Sequence, residues 1–328
     1  MDTSCFKTVT TSRGFHYHYY HTPAEDLSLP ILLFLHGFPA TSRIWWRQVE
    51  FFRIHGFRLL VPDQLGFGKS SKPTDPEAYK PSLICSDIVE IMDAEGIDKA
   101  VAVGHGFGSN VVSRLANLYR SRFLGYAFLA VPYTPPSPVT DMQQTVISTR
   151  RGCGYEVCGH MLFFAESYSA KIVDSHMESF YGAMFPDDPK MWVSHVAPTG
   201  ALQAWLEADK KTPPLACLTE SDKEVWHDAF TVGGFEAPLA WHKAFVSGVN
   251  STDDKSIPLD NYTIGQPVFF GAARFDYISH AVLGIAATNR HCKDASLREF
   301  NAGHWLILSN HTDVNRALLS WVMDIVVQ

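Results

Sequence analysis

The chain begins with two segments in which apolar and polar residues alternate, followed by short segments that are almost wholly apolar. The alternating segments, residues 5–10 and 15–22, flank Ser12-Arg13-Gly14 and predict an antiparallel hairpin. The apolar segments are residues 31–35, 57–61, 100–103 and 125–131. Strands of a parallel sheet have this composition, because helices bury them on both faces. The pattern predicts a mostly parallel central sheet that starts with a hairpin.

Helical patterns lie between the predicted strands. The apolar residues at 84, 88, 91 and 92 fall on one helix face, and Gly96 ends that helix. The apolar residues at 111, 112, 115 and 118 fall on one face of another helix. Because strand and helix alternate, the predicted fold class is α/β, with helices flanking the sheet.

The alternation stops at the proline-rich segment 131–138. About 125 residues of helical pattern follow. Buried strands then return at residues 266–271 and 297–300, and an amphipathic helix over residues 313–326 ends the chain. We therefore predict a core of residues 1–133 and 262–328, with a helical cap of residues 134–261 inserted into it.

Composition and charge narrow the class of protein. Apolar residues make up 46% and charged residues 19%, which is typical of a globular chain. The net charge is -7 and no basic block is present, so we expect no nucleic-acid partner. The longest strongly apolar stretch is too short to span a membrane, and the first residues do not resemble a signal peptide. The six cysteines are scattered. We expect a soluble cytoplasmic protein without metal or cofactor, and a homodimer is compatible with the sequence.

A strand, a glycine-rich corner and a helix are predicted over residues 101–110. Gly104 and Gly108 leave room for the sharp turn of a nucleophile elbow. The central position, which carries Ser, Asp or Cys in such elbows, is Gly106. A phosphate-binding loop is the alternative, but the Walker A residues and the third glycine of a dinucleotide motif are missing. The corner therefore predicts an elbow without a nucleophile.

An acid and a base each follow a predicted strand of the second half of the core. Asp276 comes after the strand at 266–271, and His304 comes after the strand at 297–300. Ligands of open parallel sheets bind at the carboxyl ends of the strands, where the corner at Gly106 also lies. The order elbow, Asp, His belongs to one hydrolase class. A histidine that only packs is the alternative, but three positions agree in order and context, so we predict a catalytic pair.

The loop His36-Gly37-Phe38-Pro39 follows the first buried strand. In that hydrolase class, backbone N–H groups of this loop and of the residue after the elbow form an oxyanion hole. We therefore predict that Phe38, Gly106, Phe107 and Trp305 contact the substrate.

Together these motifs resemble α/β-hydrolases of the epoxide hydrolase type, which are related also to haloalkane dehalogenases. The resemblance runs from about residue 15 to the end of the chain. It is carried by residues 36–39, 62–70 and 104–109, by Asp276 and by residues 303–305. The insertion resembles the cap of the family, including residues 154–156 and 158–160 before Phe163-Phe164. Fungal members look most similar.

The family uses an elbow aspartate that attacks the epoxide and forms an ester, which a histidine-activated water then hydrolyses. Two cap tyrosines donate hydrogen bonds to the epoxide oxygen. This chain departs at all three places, because the aligned residues are Gly106, His160 and His242. The resemblance implies that His160 and His242 act from the cap, opposite His304, and that Tyr155 belongs to the substrate-binding wall. The alternative for both cap histidines is that they only pack.

These residues form an acid–base set without a nucleophile. Ser109 does not replace it, since it lies on the helix one turn past the elbow. The sequence favours an isomerase, lyase or cyclase that acts on a small apolar metabolite, of the kind made in fungal secondary metabolism, by isomerisation, cyclisation, condensation or cleavage. One alternative is a hydrolase in which His304 activates water directly. The other is a binding protein without catalytic activity.

Overall fold

The computed structural model describes residues 1–22, 28–139 and 141–327 of the chain. Within these residues, eight strands form one sheet in the order β1-β2-β4-β3-β5-β6-β7-β8. The strands are β1 Phe6–Thr10, β2 His16–His21, β3 Ile31–Leu35, β4 Leu59–Pro62, β5 Ala100–His105, β6 Phe123–Leu129, β7 Ile264–Ala273 and β8 Cys292–Phe300. The pairs β1–β2 and β2–β4 are antiparallel, and the other pairs are parallel. The predicted hairpin and the predicted α/β class with a mostly parallel sheet are confirmed.

Most strands differ by one or a few residues from the predicted bounds, and two of these differences have a structural reason. The strand predicted at residues 125–131 ends at Leu129, because Ala130 has a φ of 64°, which extended backbone does not adopt. The strand predicted at residues 297–300 begins earlier, at Cys292. Its first residues are largely polar and exposed, so they pair with β7 without giving an apolar signal.

Helices flank the sheet and fill the segment between β6 and β7. They are α1 Trp46–Ile54, α2 Pro81–Ala94, α3 Phe107–Leu118, α4 Met142–Cys153, α5 His160–Ala165, α6 Ser169–Ser175, α7 Met177–Met184, α8 Trp192–His195, α9 Ala201–Glu207, α10 Glu220–Thr231, α11 Glu236–Val246, α12 Val249–Asp254, α13 Ala281–His291, α14 Leu306–Ser309 and α15 His311–Val327. The helices α4 to α12 lie between β6 and β7, and we call residues 130–263 the helical insertion.

Helix pairs cover the sheet. Helix α1 packs against α14 and α15, where the side-chain amide of Gln48 donates to the carbonyl of Ile307 on α14 at 2.9 Å and to Oδ1 of Asn315 on α15 at 3.0 Å. Helix α2 packs against α3, which also contacts β3, β5 and β6. All five residues of β3 are buried as a result. This explains why the central strands are uniformly apolar.

Polar contacts fix the helical insertion to the rest of the chain. The guanidinium of Arg114 on α3 donates two hydrogen bonds, of 2.6 and 2.8 Å, to the carboxylate of Asp254 on α12. Both side chains are buried. The indole of Trp241 on α11 donates to the carbonyl of Leu65, which follows β4, at 2.8 Å. The insertion is therefore held next to the carboxyl ends of the central strands.

Candidate active site

The corner after β5 has the tight backbone of a strand-to-helix elbow. Gly106 has φ 57° and ψ -126°, a combination that side chains disfavour. A Cβ on Gly104 would lie 2.6 Å from the backbone of Gly108, and a Cβ on Gly108 would lie 1.9 Å from the carbonyl oxygen of Leu35. The two flanking glycines are therefore required by the turn itself. A Cβ at Gly106 would meet nothing closer than 3.4 Å, so that position has open space in front of it.

His304 and Asp276 meet at the carboxyl ends of β8 and β7. Nδ1 of His304 lies 2.7 Å from Oδ2 of Asp276, and the carboxylate is fully buried. Oδ1 of Asp276 accepts hydrogen bonds from the backbone N–H groups of Ile278 and Ser279, at 2.9 and 3.0 Å. Because a carboxylate can only accept here, Nδ1 of His304 donates, and Nε2 is left free. That Nε2 is the atom that lies 3.4 Å from the position of a Cβ at Gly106.

His105, the last residue of β5, packs against His304 and hydrogen-bonds to its backbone. Its Nε2 donates to the carbonyl oxygen of His304 at 2.9 Å, and the two rings lie 4.8 Å apart. Burial, helped by the nearby His304, holds the pKa of His105 well below the ordinary value. His105 is therefore neutral at neutral pH and orients the loop that carries His304. Sequence reasoning missed this role, although His105 stands inside the elbow motif.

His160 and His242 both reach the same cavity from the helical insertion. His160 is the first residue of α5, and burial, followed by the nearby His304, lowers its pKa to about 4. Burial, followed by the nearby His160, lowers the pKa of His242 on α11 well below the ordinary value. Nδ1 of each ring is buried and has no hydrogen-bond partner among the described residues. Both imidazoles are therefore neutral at neutral pH and have hydrogen-bonding capacity to spare.

The ring of His242 is enclosed by aromatic rings. The rings of Phe38, Phe107 and Phe164 lie 4.5, 4.8 and 4.7 Å from it, centroid to centroid. Such surroundings disfavour a charged imidazole, which explains the direction of its pKa. Phe38 and Phe107 were predicted from the sequence as substrate contacts, and the structure places both on the cavity wall.

The loop after β3 lies directly beside the elbow. Buried His36 fixes this loop, because its Nδ1 donates to the carbonyl of Gly37 at 2.9 Å and its Nε2 accepts from the N–H of Gln64 at 3.0 Å. A Cβ on Gly37 would lie 2.8 Å from the backbone nitrogen of Phe107. Within the described residues, the N–H groups of Phe38 and Phe107 donate no hydrogen bond. Two unpaired donors thus border the corner at Gly106.

The cavity formed by these groups has a volume of about 260 Å³. Of the predicted site residues, it brings together Phe38, Gly106, Phe107, His160, His242, His304 and Trp305, with Asp276 behind His304. Tyr155 does not line it; its hydroxyl donates to the carbonyl of Tyr277 at 2.6 Å. Lining residues that were not predicted as site residues include Met142, Met161, Phe164, Met184, Trp192 and Phe245. The ring of Trp192 lies 5.5 Å from that of His304.

No group of three or more His, Cys, Asp or Glu side chains in residues 1–22, 28–139 and 141–327 could hold a metal ion. In the same residues, every helix is too short or too polar to cross a membrane.

Comparison with known proteins agrees with this fold. Residues 30–152 match the family model described as alpha/beta hydrolase fold. Over 324 residues the chain is 28% identical to Epoxide hydrolase A of Mycobacterium tuberculosis, which covers 91% of this chain and 92% of that protein. It is 26% identical over 301 residues to Bifunctional epoxide hydrolase 2 of Sus scrofa, covering 89% of this chain and 51% of that protein. The chain thus spans about half the length of this relative and of its mouse counterpart.

The solved structures include Epoxide Hydrolase A from Mycobacterium thermoresistibile, with a TM-score of 0.77 and 25% identity over 96% of this chain and 97% of that one. An epoxide hydrolase from an endophytic Streptomyces, at 24% identity and a TM-score of 0.78, shares the fold. The chain therefore has the α/β-hydrolase fold, and in both sequence and structure it is similar to epoxide hydrolases.

Proposed function

We propose that this chain is an epoxide-hydrolase-like enzyme without a covalent nucleophile, which catalyses proton transfer in a small apolar metabolite without adding water. One observation carries the proposal. Nε2 of His304 faces an elbow position that has no side chain, and a Cβ there would lie only 3.4 Å away. In place of a nucleophile, the substrate itself can occupy this space and give its proton to the base. Isomerisation, cyclisation, condensation and lyase-type cleavage all begin with such a step.

The neutral cap histidines complement this base. With pKa values lowered by burial, His160 and His242 are uncharged at neutral pH and can donate or accept a hydrogen bond. They occupy the two positions that align with the cap tyrosines of the epoxide hydrolase family. We propose that they hold an oxygen of the substrate on the side away from His304, and that residues 134–261 act as a cap over a core of residues 1–133 and 262–328.

The cavity wall supports an apolar, uncharged substrate. Among the described residues that line it, none is Asp, Glu, Lys or Arg, and most are aromatic or aliphatic. A charged ligand would lose its hydration here without gaining an ionic partner, which is costly. A small neutral molecule loses much less.

The test uses 5-nitrobenzisoxazole, a small neutral compound that eliminates to a phenolate when a base removes one carbon-bound proton. We expect the protein to accelerate this elimination, and His304→Ala to lower the rate by about 10²–10⁴-fold, the usual contribution of a general base. Asp276→Asn should also lower it, because it removes the partner that orients the imidazole. His55→Ala, at an exposed site, is the matched control and should leave the rate unchanged. If His304→Ala catalysed the elimination at the wild-type rate, the catalytic proposal would be overturned and a binding protein would be favoured.

Hydrolysis by a water that His304 activates is the second candidate, and the similarity to epoxide hydrolases favours it. Oxygen-18-labelled water separates the two. With styrene oxide and 4-nitrophenyl acetate as probes, we expect no labelled product beyond the amount formed by His304→Ala. Labelled diol or acid that depends on His304 would replace the proposed reaction with hydrolysis.

A further inference from the structure

We infer that the substrate carries a carbonyl group with an acidic C–H next to it, and that the backbone N–H groups of Phe38 and Phe107 stabilise its enolate oxygen. This inference rests on the proposed function, because it requires His304 to act as the base. It adds the reaction class, which is enolisation, and the substrate class, which is a neutral ketone or 1,3-dicarbonyl compound with an apolar body.

The two N–H groups are the first observation. Neither donates a hydrogen bond within the described residues, although both residues line the cavity. Phe107 is the first residue of α3, so its N–H has no partner within the helix, and the N–H of Phe38 beside it is unpaired among the described residues as well; both donors are therefore available to an acceptor on the ligand. In an elbow with an aspartate, a carboxylate beside these donors could accept. Gly106 supplies no such acceptor.

The space at Gly106 is the second observation. A Cβ bonded to Gly106 would be in ordinary contact with its surroundings, at 3.4 Å from Nε2 of His304 and 3.7 Å from Cα of Gly37, so the volume beyond it, which the carboxylate of an aspartate would fill, is open to a ligand. Phe107 N follows Gly106 directly, and Phe38 N is two bonds from Cα of Gly37. We place a CH–C=O unit of the substrate in that volume, at van der Waals distance from Cα of Gly106. Its carbon then lies at reacting distance from the base, and its oxygen lies beside the two donors.

The chemical step balances without a further reactant. The lone pair on Nε2 of His304 takes the proton from the α-carbon, and the electrons of that C–H bond form the C=C bond of the enolate. The π electrons of the carbonyl move onto its oxygen, where the two N–H groups stabilise the negative charge. The imidazolium, stabilised by Asp276, then returns the proton to carbon or to oxygen. Bond formation or cleavage elsewhere in the substrate can take place before that return.

The rest of the cavity limits the remainder of the substrate. His160 and His242 are neutral, so they suit a second uncharged oxygen better than a carboxylate. Aromatic rings and methionine side chains line the remaining wall. A carboxylic acid substrate would meet no cation among the described lining residues, so we expect ketones to bind better than acids of the same size.

The first experiment uses 4-nitrophenol, whose phenolate mimics an enolate and absorbs visible light. Bound to the wild-type protein, it should ionise at a lower pH than in solution, with at least a tenfold increase in its ionisation constant. Phe107→Pro removes one N–H at the first position of α3, where proline is tolerated. Phe107→Ala is the matched control, because it removes the same ring but keeps the N–H. Whatever the ring itself contributes to binding, we expect the proline variant to lose most of the increase that the alanine variant shows.

The second experiment measures exchange of the acidic protons of 2-tetralone in D₂O by NMR. The wild-type protein should accelerate the exchange, and His304→Ala should lose at least a hundredfold of that acceleration. If the protein binds neither probe in calorimetry, or shows neither exchange nor altered ionisation, the enolate inference is wrong. Elimination of 5-nitrobenzisoxazole that still depends on His304 would then leave the proposed function standing. Loss of that elimination as well would remove both.

Discussion

Replacing His160 by glutamine should remove a large part of the acid sensitivity of the folded protein. Burial, followed by the nearby His304, lowers the pKa of His160 from 6.5 to about 4. Below pH 6.5 the unfolded chain takes up a proton at this position, whereas the folded chain takes it up only near pH 4. The free energy of unfolding therefore falls as the pH falls through this window, and it has its full value above pH 6.5.

The pKa difference sets the magnitude. At 1.36 kcal/mol for each pKa unit, the difference between the unfolded and folded pKa of His160 lowers the free energy of unfolding by about 3 kcal/mol once the pH has fallen below both values. Between pH 7 and pH 4.5 the loss is about 2 kcal/mol. Glutamine keeps hydrogen-bonding groups but does not titrate, so His160→Gln should lose about 2 kcal/mol less than the wild-type protein over this range. Other buried histidines titrate in both proteins, and their contribution largely cancels in the comparison.

Urea unfolding at pH 7 and at pH 4.5, followed by tryptophan fluorescence, measures the four free energies. His55→Gln, at an exposed position, is the control and should lose as much stability as the wild-type protein. An NMR titration of the imidazole of His160 gives an independent value of its pKa in the folded state. Equal losses in the wild-type protein and His160→Gln, or titration of His160 near pH 6.5, would refute the neutral role that we assign to it.

Three further changes test other parts of the structure. Gly106→Asp should not produce an efficient epoxide hydrolase with styrene oxide, because the N–H of a neutral imidazole at each aligned tyrosine position is a weaker hydrogen-bond donor than a phenol, and loss of a whole donor typically costs about 10²–10³-fold in rate. Rapid diol formation would show that the cap alignment is wrong. Arg114→Met should lower the free energy of unfolding in urea by about 3–5 kcal/mol, because it leaves the carboxylate of Asp254 buried without its cation. The double variant with Asp254→Leu should recover most of that loss, and a cost near zero for Arg114→Met alone would contradict this expectation. Tyr155→Phe should cost about 1 kcal/mol in the same assay through loss of the hydrogen bond to the carbonyl of Tyr277, and an unchanged midpoint would show that this bond contributes nothing.

The sequence was sufficient for the fold class because the central strands are buried on both faces. Residues 31–35 are uniformly apolar, and β3 has the same bounds. Strand ends were less predictable, since they depend on backbone geometry and on pairing. The positive φ of Ala130 ends β6, and hydrogen bonding to β7 extends β8 into polar residues. Neither effect leaves an apolar pattern in the sequence.

Some residues of the candidate site could likewise be predicted from the sequence, and others could not. Gly106, Asp276 and His304 could be predicted because each follows a strand end, and strand ends converge at one edge of a parallel sheet. Trp192 and Phe164 could not be predicted, because folding of the helical insertion alone determines which of its aromatic side chains reach the cavity. Tyr155 stood near a recognisable motif, yet its hydroxyl is engaged by the loop after β7.

The backbone of the elbow has a consequence for how this chain could change over evolutionary time. Gly104 and Gly108 cannot accept a Cβ without displacing neighbouring backbone, so the corner persists whether or not it serves catalysis. At Gly106, any other residue would have to adopt φ 57° and ψ -126°, which typically costs about 1–3 kcal/mol. A mutation from a side chain to glycine at that position therefore gains stability, while the reverse mutation must lose it before any new activity can be selected. Selection for folding alone makes the step to glycine easy to take and difficult to reverse.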